Sequence, residues 1–197
     1  MPNWCSTSYT LVGTRKNVGA AFQALRKQEQ TPRSKDAGPN SFLPDSRWLG
    51  YVATDILGIP YNDIDCRGDF SQLEMERLNG HHCICFFTET AWAPCTDLIQ
   101  RFCRKFHLSA NYVAEEPGCL VYIKENPDGI YTDNYVYDDD EDGRDYFATL
   151  DDFITGYGEK LGIKPGATYE EVSAHLEKDT ECRLYRFAGC DDPTRPA

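Results

Sequence analysis

Residues 82–88, His82-Cys83-Ile84-Cys85-Phe86-Phe87-Thr88, are almost continuously apolar, and a helix start follows them at Pro94. A run this short and this apolar reads as a central strand covered on both faces. Upstream, residues 6–12 (STSYTLV) are rich in Thr, Tyr, Leu and Val and stop at Gly13, which reads as another strand. Asn17 is then expected to cap a helix burying Val18, Ala21, Phe22 and Leu25, spaced by three and four. Downstream, Pro94 suits a first helical position, and Cys95, Leu98, Ile99, Phe102 and Phe106 form the apolar stripe of a second helix.

Three further strands are expected at 108–115, 119–124 and 130–137. They are joined by the turns Glu116-Pro117-Gly118 and Asn126-Pro127-Asp128-Gly129, the second read as a hairpin turn. Thr149 with Asp152, and Thr168 with Glu171, have the spacing of capping boxes opening two C-terminal helices, and 182–187 reads as a last strand. Residues 48–57 suit strand or helix, and 60–80 read as irregular. With 48–57 taken as a strand, the first six elements run βαββαβ. The fold class expected is α+β: a ferredoxin-like antiparallel sheet (βαββαβ) extended by a β-meander and two C-terminal helices. The expected domains are 1–137, with a polar insertion at about 28–80, and an acidic, helical extension over 138–197 packed on the same core.

The 197 residues suit one domain, or one with a small appendage, and suffice for a core without crosslinks. A net charge of −12 argues against direct nucleic-acid binding, which needs a basic face. No basic segment leads into an apolar core at the start, and no apolar run approaches a membrane span, so a cytoplasmic protein with free thiols is expected.

Three segments carry a resemblance. Met1-Pro2-Asn3-Trp4-Cys5, then Thr88-Glu89-Thr90-Ala91-Trp92-Ala93-Pro94, then Glu115-Glu116-Pro117-Gly118 resemble the YubB-type ferredoxin-like family of plasmid, phage and other mobile-element proteins. The Thr-Lys-Trp segment usual before that family's central strand is absent here. The resemblance implies the fold and a mobile-element setting, and no activity.

Negative charge is concentrated between 125 and 152, where eleven carboxylates face a single base, Arg144. Asp138, Asp140 and Asp142, followed by Gly143, make the first half of an EF-hand-type loop, with oxygen ligands on alternate residues for a weakly held calcium ion. Thr149 falls where the closing Glu belongs. Tyr131, Tyr135 and Tyr137 alternate along the expected strand with Asp133 between them, and Tyr122 and Tyr146 are expected nearby. Rigid aromatic area beside steering charge suits a basic protein partner, DNA mimicry being its sharpest form. The structural alternative is a sheet face packed beneath the final helices. His81, Cys83 and Cys85 share a strand face, but lack the Cys-x-x-Cys knuckle zinc prefers; a Cys nucleophile paired with His81, His82 or His107 is the enzymatic alternative. Trp92 with Pro94 reads as a staple at the helix start, and Trp4 and Trp48 as core.

Overall fold

The computed structural model describes residues 3–33, 45–139, 143–178 and 182–189. It is a mixed α+β chain with two antiparallel sheets. The chain divides into Met1–Ile130 and Tyr131–Ala197, before the boundary expected at 137, and each unit has its own cluster of buried apolar side chains. No described helix is long and apolar enough to cross a membrane.

The first unit contains β1 (Trp4–Gly13), α1 (Arg15–Gln30), α2 (Leu49–Tyr51, continued by a π-helical stretch, Val52–Leu57), β2 (Gly68–Leu78), β3 (His81–Ala91), α3 (Thr96–Phe106), β4 (Ser109–Glu116) and β5 (Val121–Glu125). Its sheet has the order β2-β3-β1-β4-β5. Tyr9 sits opposite both Phe86 and Tyr112, and these rings, with Leu11, Ile84 and Ala114, meet Val18, Ala21 and Leu25 of α1 and Leu98, Ile99 and Phe102 of α3. Each Val, Leu, Ile or Phe among them, when fully buried, contributes about 1.5–3 kcal/mol.

Several expectations change here. Residues 48–57 are helical apart from Trp48, and the strand lies at Gly68–Leu78. Asn79 and Gly80, both at positive φ (49° and 85°), form the two-residue turn that pairs Leu78 with His81. Between Ser71 and Glu74 a bulge sets Gln72 and Leu73 against Phe86 alone. It switches the alternation in mid-strand, so the period-two pattern is lost. In β3 the alternation survives: Ile84, Phe86, Thr88 and Thr90 are buried on the helix face, while Phe87 and Glu89 lie exposed on the other. The strand is therefore not covered on both faces along its length. Finally, α1 is capped by Thr14, whose hydroxyl accepts the Asn17 N–H, and Cys95 rather than Pro94 adjoins α3.

The second unit contains β6 (Tyr135–Asp139), β7 (Gly143–Phe147), α4 (Leu150–Leu161), α5 (Tyr169–Leu176) and β8 (Cys182–Arg186), with sheet order β7-β6-β8. Both expected capping boxes are formed: the Thr149 and Thr168 hydroxyls accept the Asp152 and Glu171 N–H groups, and the acids bond back to the threonine N–H groups. The turn at 126–129 forms, but no hairpin follows. Asn111 on β4 donates to the Asp128 carboxylate (2.7 Å) and accepts its N–H (3.0 Å), and Asn126 accepts the Ile130 N–H (2.7 Å). The turn is thus bound to β4, and extended structure resumes only at Tyr135, paired with β7 and β8 rather than β5.

Candidate binding surface

The tyrosines expected to form a recognition surface divide by burial. Tyr122 and Tyr137 are buried, Tyr131, Asp133 and Tyr135 are half-buried, and Tyr146 is exposed. The Tyr137 ring lies against Phe153 and Tyr157 of α4, and its hydroxyl donates to the Asp139 carboxylate at 3.0 Å. Tyr135 meets Tyr169 of α5. The acids nearby are also engaged: Asp138 pairs with Arg144 at 3.1 Å, Lys160 lies 3.9 Å from Asp139, and the Tyr157 hydroxyl donates to Asp145. Asp140 and Asp142, the other two members of the calcium half-loop, lie outside the described residues.

A different surface collects at one end of the five-stranded sheet, where three distant segments meet. Trp4 pairs with Ala91, the Trp92 N–H donates to the Asn3 carbonyl (2.9 Å), and the Asn3 amide reaches the Cys119 sulfur (3.6 Å). The turn at Pro117–Cys119 is held from within by Glu116. Its side chain is buried, and its carboxylate accepts the N–H groups of Gly118 (3.0 Å) and Cys119. A Cβ at Gly118 would lie 2.6 Å from the Asn3 side-chain nitrogen, so a larger residue there would displace that amide.

This end exposes apolar side chains. Trp4, Trp92 and Leu120 are 53%, 48% and 68% exposed. Trp4 and Trp92 are thus surface residues, against the core and staple roles expected of them, while Trp48 packs against Tyr51 and Tyr61. Trp92 (φ 72°) and Leu120 (φ 55°) both hold left-handed backbone, which costs a residue with a Cβ roughly 1–2 kcal/mol. Strain of this kind is often kept where a side chain must be aimed outward.

The end continues onto the sheet face opposite α1 and α3, which is exposed at Ser6, Phe87 and Glu89 and buried at Thr10, Val12, Cys83, Asn111, Tyr122 and Lys124. Cross-strand register places Asp69, Glu89, Ser6 and Glu115 in one row across β2, β3, β1 and β4. The Ser6 hydroxyl donates to Glu89 at 2.5 Å. Partial burial, with the Asp45 carboxylate nearby, pushes the Asp69 carboxyl above the ordinary aspartate range, against the pull of Arg47.

No family model matches the chain, and no curated protein or solved structure is significantly similar to it.

Seven of the described thiols are poor nucleophiles. Burial pushes Cys85, Cys95 and Cys103 up to about 12 and raises Cys5, Cys66 and Cys83 as well. Cys119 is exposed, yet its hydrogen bond to the Glu116 carboxylate also raises it. Each therefore holds less thiolate at neutral pH than a free cysteine. Among the described residues no three His, Cys, Asp or Glu side chains are grouped to hold a metal. A concavity of ≈ 460 Å³ lies where α1, α2 and α3 end, lined by Lys27, Gln28, Asp55, Lys105 and Phe106. Lys105 donates there to the Ile56 carbonyl, the ordinary use of a lysine at a helix C-terminus.

Parity along β1 could have revealed Trp4 as exposed: it falls on the side of Ser6 and Ser8, opposite Cys5, Tyr9 and Leu11. Trp92 and Leu120 carry no comparable signal, since neither left-handed turn contains a glycine at the strained position.

Proposed function

We propose that this protein is a non-enzymatic binding module that captures a basic protein partner through the aromatic end of its first sheet and the carboxylates beside it. One observation carries the reading: Trp4, Trp92 and Leu120 project from a single end, two of them on left-handed backbone, beside a row of carboxylates. Exposed aromatic anchors with surrounding acids give contact area and electrostatic steering together. The net charge of −12 favours a cationic partner over a nucleic acid. The surface at 131–146 is the weaker candidate, since Tyr137 packs within the second unit's core and Asp138 pairs with Arg144.

The strand order β2-β3-β1-β4 with α1 and α3 on one face supports a ferredoxin-like first unit. The meeting of three separate segments supports membership of the mobile-element family they resemble. Fold and family assign no activity.

The test is site-specific photocrosslinking in cells, with a benzophenone side chain at position 120 and, for comparison, at position 146. A discrete adduct to a basic protein at 120, absent at 146, is expected. Equal labelling at both positions, or no adduct at 120, overturns the reading.

A further inference from the structure

β2 lies at an edge of the five-stranded sheet, paired with β3 on one side. The first half of its outer side is covered. Trp48 bridges to Asp69, the Phe70 N–H donates to the Arg47 carbonyl (3.1 Å), and the Arg26 guanidinium donates to the Leu73 carbonyl (3.4 Å). Past the bulge at Gln72 and Leu73, no described segment pairs with it. The two-residue turn at Asn79 and Gly80 makes Leu78 and His81 a hydrogen-bonded pair. Such pairs alternate along an antiparallel ladder, so Glu76 and Glu74 also bond to β3, while Met75 and Arg77 direct their N–H and C=O groups outward. Among the described residues, none bonds to those four backbone groups.

The side chains here decide what the edge accepts. Glu74, Met75, Glu76 and Arg77 are exposed, Met75 to 55%. Glu74 faces Cys85 and Glu76 faces Cys83, so both carboxylates project on the face away from α1 and α3, about 6.5–7 Å apart at the backbone. Neither forms an ion pair among the described residues. Met75 and Arg77 lie on the other face, where the Arg77 Nε turns back to the Gly80 carbonyl (3.4 Å). Antiparallel pairing of two copies about Met75 would set Glu74 against Glu76 twice, and the registers to either side would set Glu74 or Glu76 against itself. Like charges directly opposite destabilise a sheet, so the edge is guarded against a second copy. A strand with Lys or Arg at two alternate positions instead brings both cations opposite the carboxylates, with the residue between them beside Met75.

We propose that the outer edge of β2 from Glu74 to Leu78 takes up an extended segment of a basic protein as an added strand, with alternate Lys or Arg residues opposite Glu74 and Glu76 and an apolar residue between them beside Met75. This goes beyond the aromatic end. Gly68 faces Thr90 near that end, whereas Leu78 faces His81 at the other, so either site can fail its test without the other.

The test uses the full-length, isotope-labelled protein and NMR. Without ligand, the Met75 and Arg77 amides should exchange with solvent at least about tenfold faster than those of Glu74 and Glu76. Acetyl-Val-Lys-Val-Lys-Val-amide should then give saturable shifts at Met75 and Arg77 and slow their exchange. Methylating the central valine nitrogen removes one main-chain donor at unchanged charge and should weaken binding at least fivefold. Acetyl-Val-Glu-Val-Glu-Val-amide should not bind. The double variant Glu74→Lys/Glu76→Lys should lose the Lys peptide and take the Glu peptide. Both side chains are exposed, so unchanged amide dispersion elsewhere will confirm that the variant folds. Equal protection of all four amides in the free protein would mean that the edge is already covered and would overturn the proposal. Shifts confined to other surfaces, equal binding of the methylated peptide, or retained Lys-peptide binding in the double variant would overturn it as well.

Discussion

Glu116→Gln tests whether the three converging segments form one supported structure. Glu116 is 3% exposed, and its two oxygens accept the Gly118 and Cys119 N–H groups. Glutamine keeps the shape but offers one acceptor oxygen and one amide donor. One backbone N–H then faces another donor. Losing a charge-assisted hydrogen bond costs about 2–3 kcal/mol. For a chain of this size that is a fall of roughly 4–12 °C in Tm. All three tryptophans, Trp4, Trp48 and Trp92, belong to the first unit, so tryptophan fluorescence during urea or thermal unfolding reports on that unit. The expected result is a lower midpoint by fluorescence. A midpoint within about 1 °C of wild type would mean that water already satisfies these N–H groups, and the rigid support inferred for Leu120 and Asn3 would be wrong.

Asp69→Asn should stabilise the protein at neutral pH. Because the folded-state carboxyl is raised, ionising it opposes folding, so the advantage of asparagine is full above the folded pKa and fades as pH falls below the unfolded value; equal gains at pH 3.5 and pH 7 would contradict this. Tyr137→Ala should cost about 3–5 kcal/mol in chemical denaturation followed by circular dichroism, as for a large core ring, whereas a surface tyrosine would stay within about 0.5 kcal/mol. Gly68→Ala places a Cβ 2.1 Å from the Glu89 carbonyl oxygen and 2.8 Å from the Thr90 Cα, both backbone; a loss of at least about 2 kcal/mol is expected, and a neutral result would show that β2 and β3 separate readily there. Iodoacetamide at neutral pH should leave Cys85, Cys95 and Cys103 unmodified in the native protein by mass spectrometry, and alkylation at the rate of free cysteine would refute their protonated burial.

The sequence by itself determined the elements whose signals are local. β1 and the apolar stripes of α1 and α3 follow from alternation and from three-four spacing, and both C-terminal capping boxes follow from a hydroxyl three residues before an acid. Even β2 had a local sign in Asn79-Gly80, hidden by the bulge that inverts its alternation at Gln72 and Leu73. Contacts between distant residues decided the rest. Asn111 binds Asp128, so a sequence that reads as a hairpin turn ends β5 without starting a partner strand. Tyr137 looks like a surface recognition group until α4 covers it, because alternation separates the two faces of a strand but does not say which face a later helix will bury. The exposed end of the first sheet needed the tertiary structure most. Asn3, Trp92 and Cys119 are far apart in the chain, and only strand pairing brings their segments together and turns Trp4 and Leu120 outward.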